Sequence, residues 1–183
     1  MTKHYPPGFK MLLLGFWDGK TLIATVFSLH REKGRKGTYG LSKKELKSQF
    51  RKKRDSKSSG YKRVMELDMK KGEVAVSMLR RAVKNGFVAS YVLMDSWFVN
   101  DCMIKSVRSI KKGDMHLLGM CKIDRRKYLT GNKELRAHQL ITKNQRKNSK
   151  YSRKYKSTYI SMVVDYKGEK VRLFFIRYNN AKN

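Results

Sequence analysis

Acidic residues are scarce in this chain. Its 183 residues hold 14 Asp and Glu against 44 Lys and Arg, a formal net charge of +30. So lopsided a balance repels itself and draws polyanions: DNA, RNA or an anionic membrane surface. Long apolar runs are missing as well. None nears the roughly 20 residues that span a bilayer, and the opening "MTKHYPPGFK" lacks the apolar region of a signal peptide. The basic residues run along the whole chain and are not gathered on one amphipathic helix. These absences set the membrane aside, predict a cytoplasmic protein and put nucleic acid first. Cysteine is limited to Cys102 and Cys121, without CxxC spacing, and His4, His30, His116 and His138 are scattered. No zinc pattern fits, so two reduced thiols are expected. There is no internal repeat. What is present is enough for one domain with a core: hydrophobic residues make up 40% of the chain, too many for a disordered tail.

The segments have distinct characters. "FKMLLLGFW", the tight-turn pair Asp18-Gly19 and "TLIATVFSLH" predict a hairpin over about 9–30. Asp18 is a carboxylate between two strands, and the turn is sufficient reason for it. Residues 31–63 hold 14 Lys/Arg and three acids. Glycines make the first part a loop. Ser42 and Glu45 then form a capping box for a short basic helix from about 43 to 53. DNA contact outweighs a merely solvated face here, because so few acids balance the charge. Ala75, Met78, Leu79 and Ala82 share one helical face between Lys71 and the stop at Gly86. "FVASYVLM" reads as a buried strand. Met103, Ile104, Val107 and Ile110 mark a second helix ending at Gly113, and "MHLLGMCKI" a second buried strand. Helix, strand, helix, strand over 71–123 implies a parallel strand pair joined by a helical crossover. With the hairpin it predicts one mixed sheet. Residues 122–156 carry thirteen Lys/Arg and two acids, with Tyr128, Tyr151 and Tyr155 interleaved. Such a stretch can hold phosphates and stack on bases, or form a charged loop with locally packed tyrosines; the two readings weigh the same. "STYISMVVDY", "KGE" and "KVRLFFIRY" predict a closing hairpin.

The apolar run "YVLMDSWF" ends in Asp95, which a strand interior would tolerate badly. At the C-terminal end of a parallel strand it lies where open α/β sheets place ligands. It can bind a metal there. It or Ser96 can cap the next helix, or Asn100 can start that helix later. Capping and metal binding stand equal on physical grounds.

"YVLMDSWF", preceded by "MLRRAVKNG", resembles the second-aspartate segment of DDE transposases, most closely the IS-four insertion-sequence family of bacteria. The resemblance continues through "GFKMLLLGFWDGKTLIATVFSLHREKG", "KKELKSQFRKKRD", "HLLGMCKID" and "VRLFFIRY", almost the whole chain. It implies a ribonuclease H-like mixed sheet with flanking helices, a basic, mostly β insertion, and cut-and-paste DNA transposition. It also implies three carboxylates holding two Mg²⁺ ions, which activate a water or a 3′-hydroxyl and stabilise the leaving oxygen. Only the second carboxylate maps here, onto Asp95. The family's first aspartate precedes the hairpin, and its last glutamate follows the β insertion in a Tyr-Arg-Glu-Lys signature. The chain runs from "MTKHYPPG" to Asn183 between them. The expectation is a truncated core: a partial catalytic core over 1–124 with a basic helical insertion at about 31–63, then a basic β-rich insertion segment over 125–183. Such a piece would hold Mg²⁺ weakly and would neither cleave nor join DNA alone. The candidate DNA contacts are Lys43, Lys44, Arg51, Lys52, Lys53 and Arg54, with Arg125, Arg126, Lys127, Lys150, Arg153 and Lys154. The implied partners are double-stranded DNA at transposon ends and intact transposase, with which the chain would oligomerise. The rival expectations are a non-enzymatic DNA-binding inhibitor derived from a truncated transposase and an unrelated basic RNA-binding protein.

Overall fold

A computed structural model describes residues 9–31, 41–48 and 53–178. The chain is mixed α/β, with three sheets and five α-helices among these residues. It divides into two compact units, Met1–Ser90 and Tyr91–Asn183.

The first unit holds an antiparallel hairpin, β1 (Phe9–Trp17) and β2 (Leu22–Arg31). Its turn is made as expected: Asp18 Oδ1 accepts the Lys20 and Thr21 amides at 2.8 and 2.7 Å. Helix α1 (Lys43–Ser48) opens with the expected capping box. The Glu45 amide donates to Ser42 Oγ, and the Ser42 amide donates to Glu45 Oε2 at 2.7 Å. Its predicted continuation falls partly on residues 49–52, outside the described residues. Helix α2 (Ser59–Glu66), capped by Ser58, is not foreshadowed in the sequence pattern. Helix α3 (Lys71–Lys84) buries Val74, Met78, Leu79 and Ala82, and Gly86 follows at φ +90°. The predicted face is one residue off at its start: Val74 is buried where Ala75 was expected. Both α2 and α3 pack against the hairpin.

In the second unit, β3 (Tyr91–Met94) and β4 (His116–Gly119) pair in parallel, Tyr91 opposite His116 through Met94 opposite Gly119. Helix α4 (Asp101–Arg108) joins them and buries Met103, Ile104 and Val107. Ile110 is buried just beyond, in a 3-10 turn closed by Gly113 at φ +99°. The predicted helical crossover and parallel pair are therefore present. Two expectations are corrected. The strands were expected over about 88–94 and 115–123 and buried on both faces; each spans four residues, and Tyr91, Leu93 and Leu118 face solvent. The single mixed sheet is also not formed: β1–β2 and β3–β4 are separate two-stranded sheets among the described residues. Apolar runs specify that a strand exists, while its neighbour depends on contacts far away in sequence.

A five-stranded antiparallel sheet completes this unit: β5 (Lys127–Thr130), β6 (Lys133–Arg136), β7 (Ser149–Ser152), β8 (Ser157–Tyr166) and β9 (Glu169–Tyr178). The β8–β9 turn has positive φ at Lys167 (52°) and Gly168 (85°), the pattern of a type I′ turn. Residues directly opposite in a ladder share a face, so the register sorts the side chains. Tyr128, Val164 and Tyr166 face inward with Val171, Leu173 and Phe175, against Ile104 of α4 and the buried Ala137 and Leu140 of helix α5 (Ala137–Gln145). The other face carries Lys127, Leu129, Tyr159, Val163, Arg172, Phe174, Ile176 and Tyr178.

Where the end of β4 passes the end of β3 and the loop before α4, space is tight. A Cβ at Gly119 would stand 2.5 Å from Val99 Cγ2 and 2.8 Å from the Met94 carbonyl oxygen. Gly119→Ala should therefore cost about 1–3 kcal/mol in urea denaturation. Gly72→Ala on α3, where nothing lies within 4 Å, should be neutral or stabilising by up to about 1 kcal/mol.

Candidate nucleic-acid interface

The parallel pairing of β3 and β4 brings their C-terminal ends to one edge, and Asp95 follows Met94 there, exposed to solvent. Its Oδ1 accepts the Ser96 amide, and its carbonyl accepts the Phe98 amide at 2.9 Å, turning the chain. Neither Asp95 nor Ser96 caps α4. Asn100 does, with Oδ1 accepting the Met103 amide at 2.9 Å. Capping is thus assigned elsewhere, and Asp95 is left with a local turn.

Asp124, in the loop between β4 and β5, is committed to Arg126. It accepts that residue's amide at 2.9 Å and pairs with its Nε at 3.0 Å. Among the described residues, no group of three or more His, Cys, Asp or Glu could hold a metal ion. Two Mg²⁺ ions in octahedral geometry need more carboxylate oxygens than Asp95 supplies. The described residues do not fit a two-metal centre.

The candidate DNA contacts separate into free and committed cations. Lys43 and Lys44 are exposed in the first turn of α1, and Lys53 and Arg54 are exposed ahead of α2. Arg51 and Lys52 lie outside the described residues. Arg125 is exposed, but Arg126 is partly buried and also donates to the Val99 carbonyl at 3.0 Å. It braces the loop between β4 and β5. Lys127 pairs with Glu134 across β5–β6 at 3.0 Å. Lys150 is exposed on β7, and Arg153 and Lys154 are exposed in the turn after it. The register thus gathers Lys127 and Lys150 on one sheet face, with Arg136, Lys170 and Arg172, which are not among the candidates drawn from sequence. Their signal was alternation: in "EKVRLFFIRY", basic and apolar residues share every second position.

Beside this face lies a cavity of about 590 Å³, entirely within the second unit. Its lining includes the consecutive residues 116–119 of β4 and 170–174 of β9, with Arg108, Arg126, Tyr128 and Tyr166. Lining by consecutive strand residues means that strand edges, not one face alone, border the space. Both cysteines are free thiols, and no helix among the described residues is long and apolar enough to cross a membrane. Comparison with known proteins yields no match to any family model, curated protein or solved structure.

Two measurements follow from this arrangement. Arg126→Ala should lower folding stability by about 1.5–3 kcal/mol, the range for hydrogen bonds to charged groups. Arg125→Ala should leave stability within about 0.5 kcal/mol, both variants read by urea denaturation. Separately, burial pushes the Tyr128 phenol up to about 12. An unfolded tyrosine titrates near pH 10, so the neutral phenol stabilises the fold fully below about pH 10. That contribution fades as pH rises through the window up to about 12. Tyr128→Phe should shallow the alkaline fall in stability across this window, measured by urea denaturation at stepped pH.

Proposed function

We propose that this chain is part of the catalytic core of a DDE transposase of the IS-four insertion-sequence family, with a ribonuclease H-like architecture, and that it works on double-stranded DNA. The observation that carries the reading is the β3–α4–β4 unit: two parallel strands with the exposed Asp95 just past the end of the first. That is where an α/β sheet presents a functional carboxylate. In this reading Asp95 is one of the carboxylates of the family's Mg²⁺ site. The exposed cations Lys43, Lys44, Lys53, Arg54, Arg125, Lys150, Arg153 and Lys154 hold phosphates. The net charge of +30 supplies the long-range attraction.

A second reading, a non-enzymatic DNA-binding module that occupies transposon ends or joins the intact enzyme, is favoured by the commitment of Asp124 to Arg126. That pairing commits the Asp124 carboxylate to a cation of its own loop. DNA on either side of the gene tests both readings. Terminal inverted repeats, with a frame encoding further family carboxylates, would support the transposase core. If neither is present, the family assignment is lost.

In vitro, binding to duplex DNA should be tight at low salt and fall steeply as salt rises. Lys53→Glu with Arg54→Glu should reduce the log–log salt slope by about 1 for each phosphate no longer neutralised. Asp95→Asn should leave duplex binding unchanged. Salt-independent binding, or none at low salt, would rule out a role on duplex DNA.

A further inference from the structure

We propose that the outward face of the five-stranded sheet is a stacking platform for the unpaired bases of single-stranded nucleic acid. The inference shares with the reading above only the premise that the chain meets nucleic acid; it rests on the sheet and not on Asp95.

An antiparallel sheet with one face on a core normally turns a polar face to water. Here the inward face is occupied by α4 and α5 through Ile104, Ala137 and Leu140. The outward face is apolar and exposed all the same. Phe174 and Ile176 each keep 56% of their surface open, Tyr178 59% and Val163 52%. The register sets them side by side: Phe174 opposite Ser161, Ile176 opposite Tyr159, and Val163 opposite Arg172. A contiguous apolar patch of this kind marks a contact surface.

Charge on the same face selects the partner. Lys127, Arg136, Lys150, Lys170 and Arg172 lie on it. The two acids on this face are both engaged, Glu134 by Lys127 and Asp165 by the Gly168 amide at 2.8 Å. The guanidinium of Arg172 reaches across to Ser161 Oγ at 3.3 Å, so it lies along the sheet beside the Phe174 ring position. Rings flanked by cations suit a polyanion that also offers flat apolar groups. A nucleic acid with unpaired bases has both, whereas a duplex hides its base faces in its own stack.

The test uses the whole chain and labelled 12-nucleotide single strands of DNA and of RNA, a duplex of the same sequence, and poly-glutamate as an anion without rings, all by fluorescence anisotropy at fixed salt. Phe174→Ala and Tyr178→Ala remove exposed rings, so circular dichroism and thermal melting should match the parent. Single-strand affinity should fall about tenfold or more for each ring removed, with duplex and poly-glutamate affinity unchanged. A loss on DNA alone or on RNA alone supports the platform and names its polymer. If single-strand, duplex and poly-glutamate affinities fall together, or if single-strand affinity does not fall, the platform is refuted. Retained single-strand binding with no duplex binding would remove the transposase reading and leave this one standing.

Discussion

Self-repulsion is the constraint to which the rest of this structure answers. At +30, with 14 acids in all, each carboxylate that neutralises a cation or holds a turn matters more than it would in a balanced protein. The acids are used accordingly. Asp18, Asp55 and Asp165 accept backbone amides in turns, and Glu45 closes a helix N-terminus. Glu66, buried at the end of α2, accepts from Arg81 of α3 and joins two helices. Exposed ion pairs contribute little individually. Their greater effect here is to decide which cations are free for an outside partner and which brace the fold.

That division explains what could and could not be read from the chain. Turn chemistry is local, so both long hairpins were legible from Asp18-Gly19 and from Lys167-Gly168 with their flanking strands. Periodicity is nearly local, so α3 and α4 were legible from their apolar faces. Helix α2 and the individual strands β5 to β7 were hidden by lysine and arginine. Helix α5 buries only Ala137 and Leu140, too few for a periodic signal. The division into separate sheets was not legible at all, because strand pairing is settled between distant segments. At the site, the exposure of Asp95 at a strand end followed from the sequence. The difference between Arg125 and Arg126 did not: both are arginines in one basic run, and only the fold turns one of them inward to Asp124 and Val99.

The sheet of the second unit shows how one alternating pattern can serve two ends. Along β9 the odd positions Val171, Leu173 and Phe175 pack against the core, while the even positions Arg172, Phe174 and Ile176 meet solvent. Stability needs only the first set. The second set is therefore free to change without unfolding the sheet, and its composition reflects what the surface meets, not what the core requires.

Helix α4 ties the two ends of this unit together. Asp101 in its first turn meets Lys167, which holds the Asp101 carboxyl below the usual carboxylate range, and Arg108 in its last turn bonds Glu169 and the Lys170 carbonyl. Both fastenings go to the tip of the β8–β9 hairpin. The loop that carries Asp95 runs directly into this helix. Mechanically, α4 is a strut bolted at both ends to a hairpin remote in sequence, and Asp95 lies on the loop that enters its bolted first turn. Through α4, the loop that carries Asp95 is anchored to the same hairpin whose outer face carries Arg172 and Phe174.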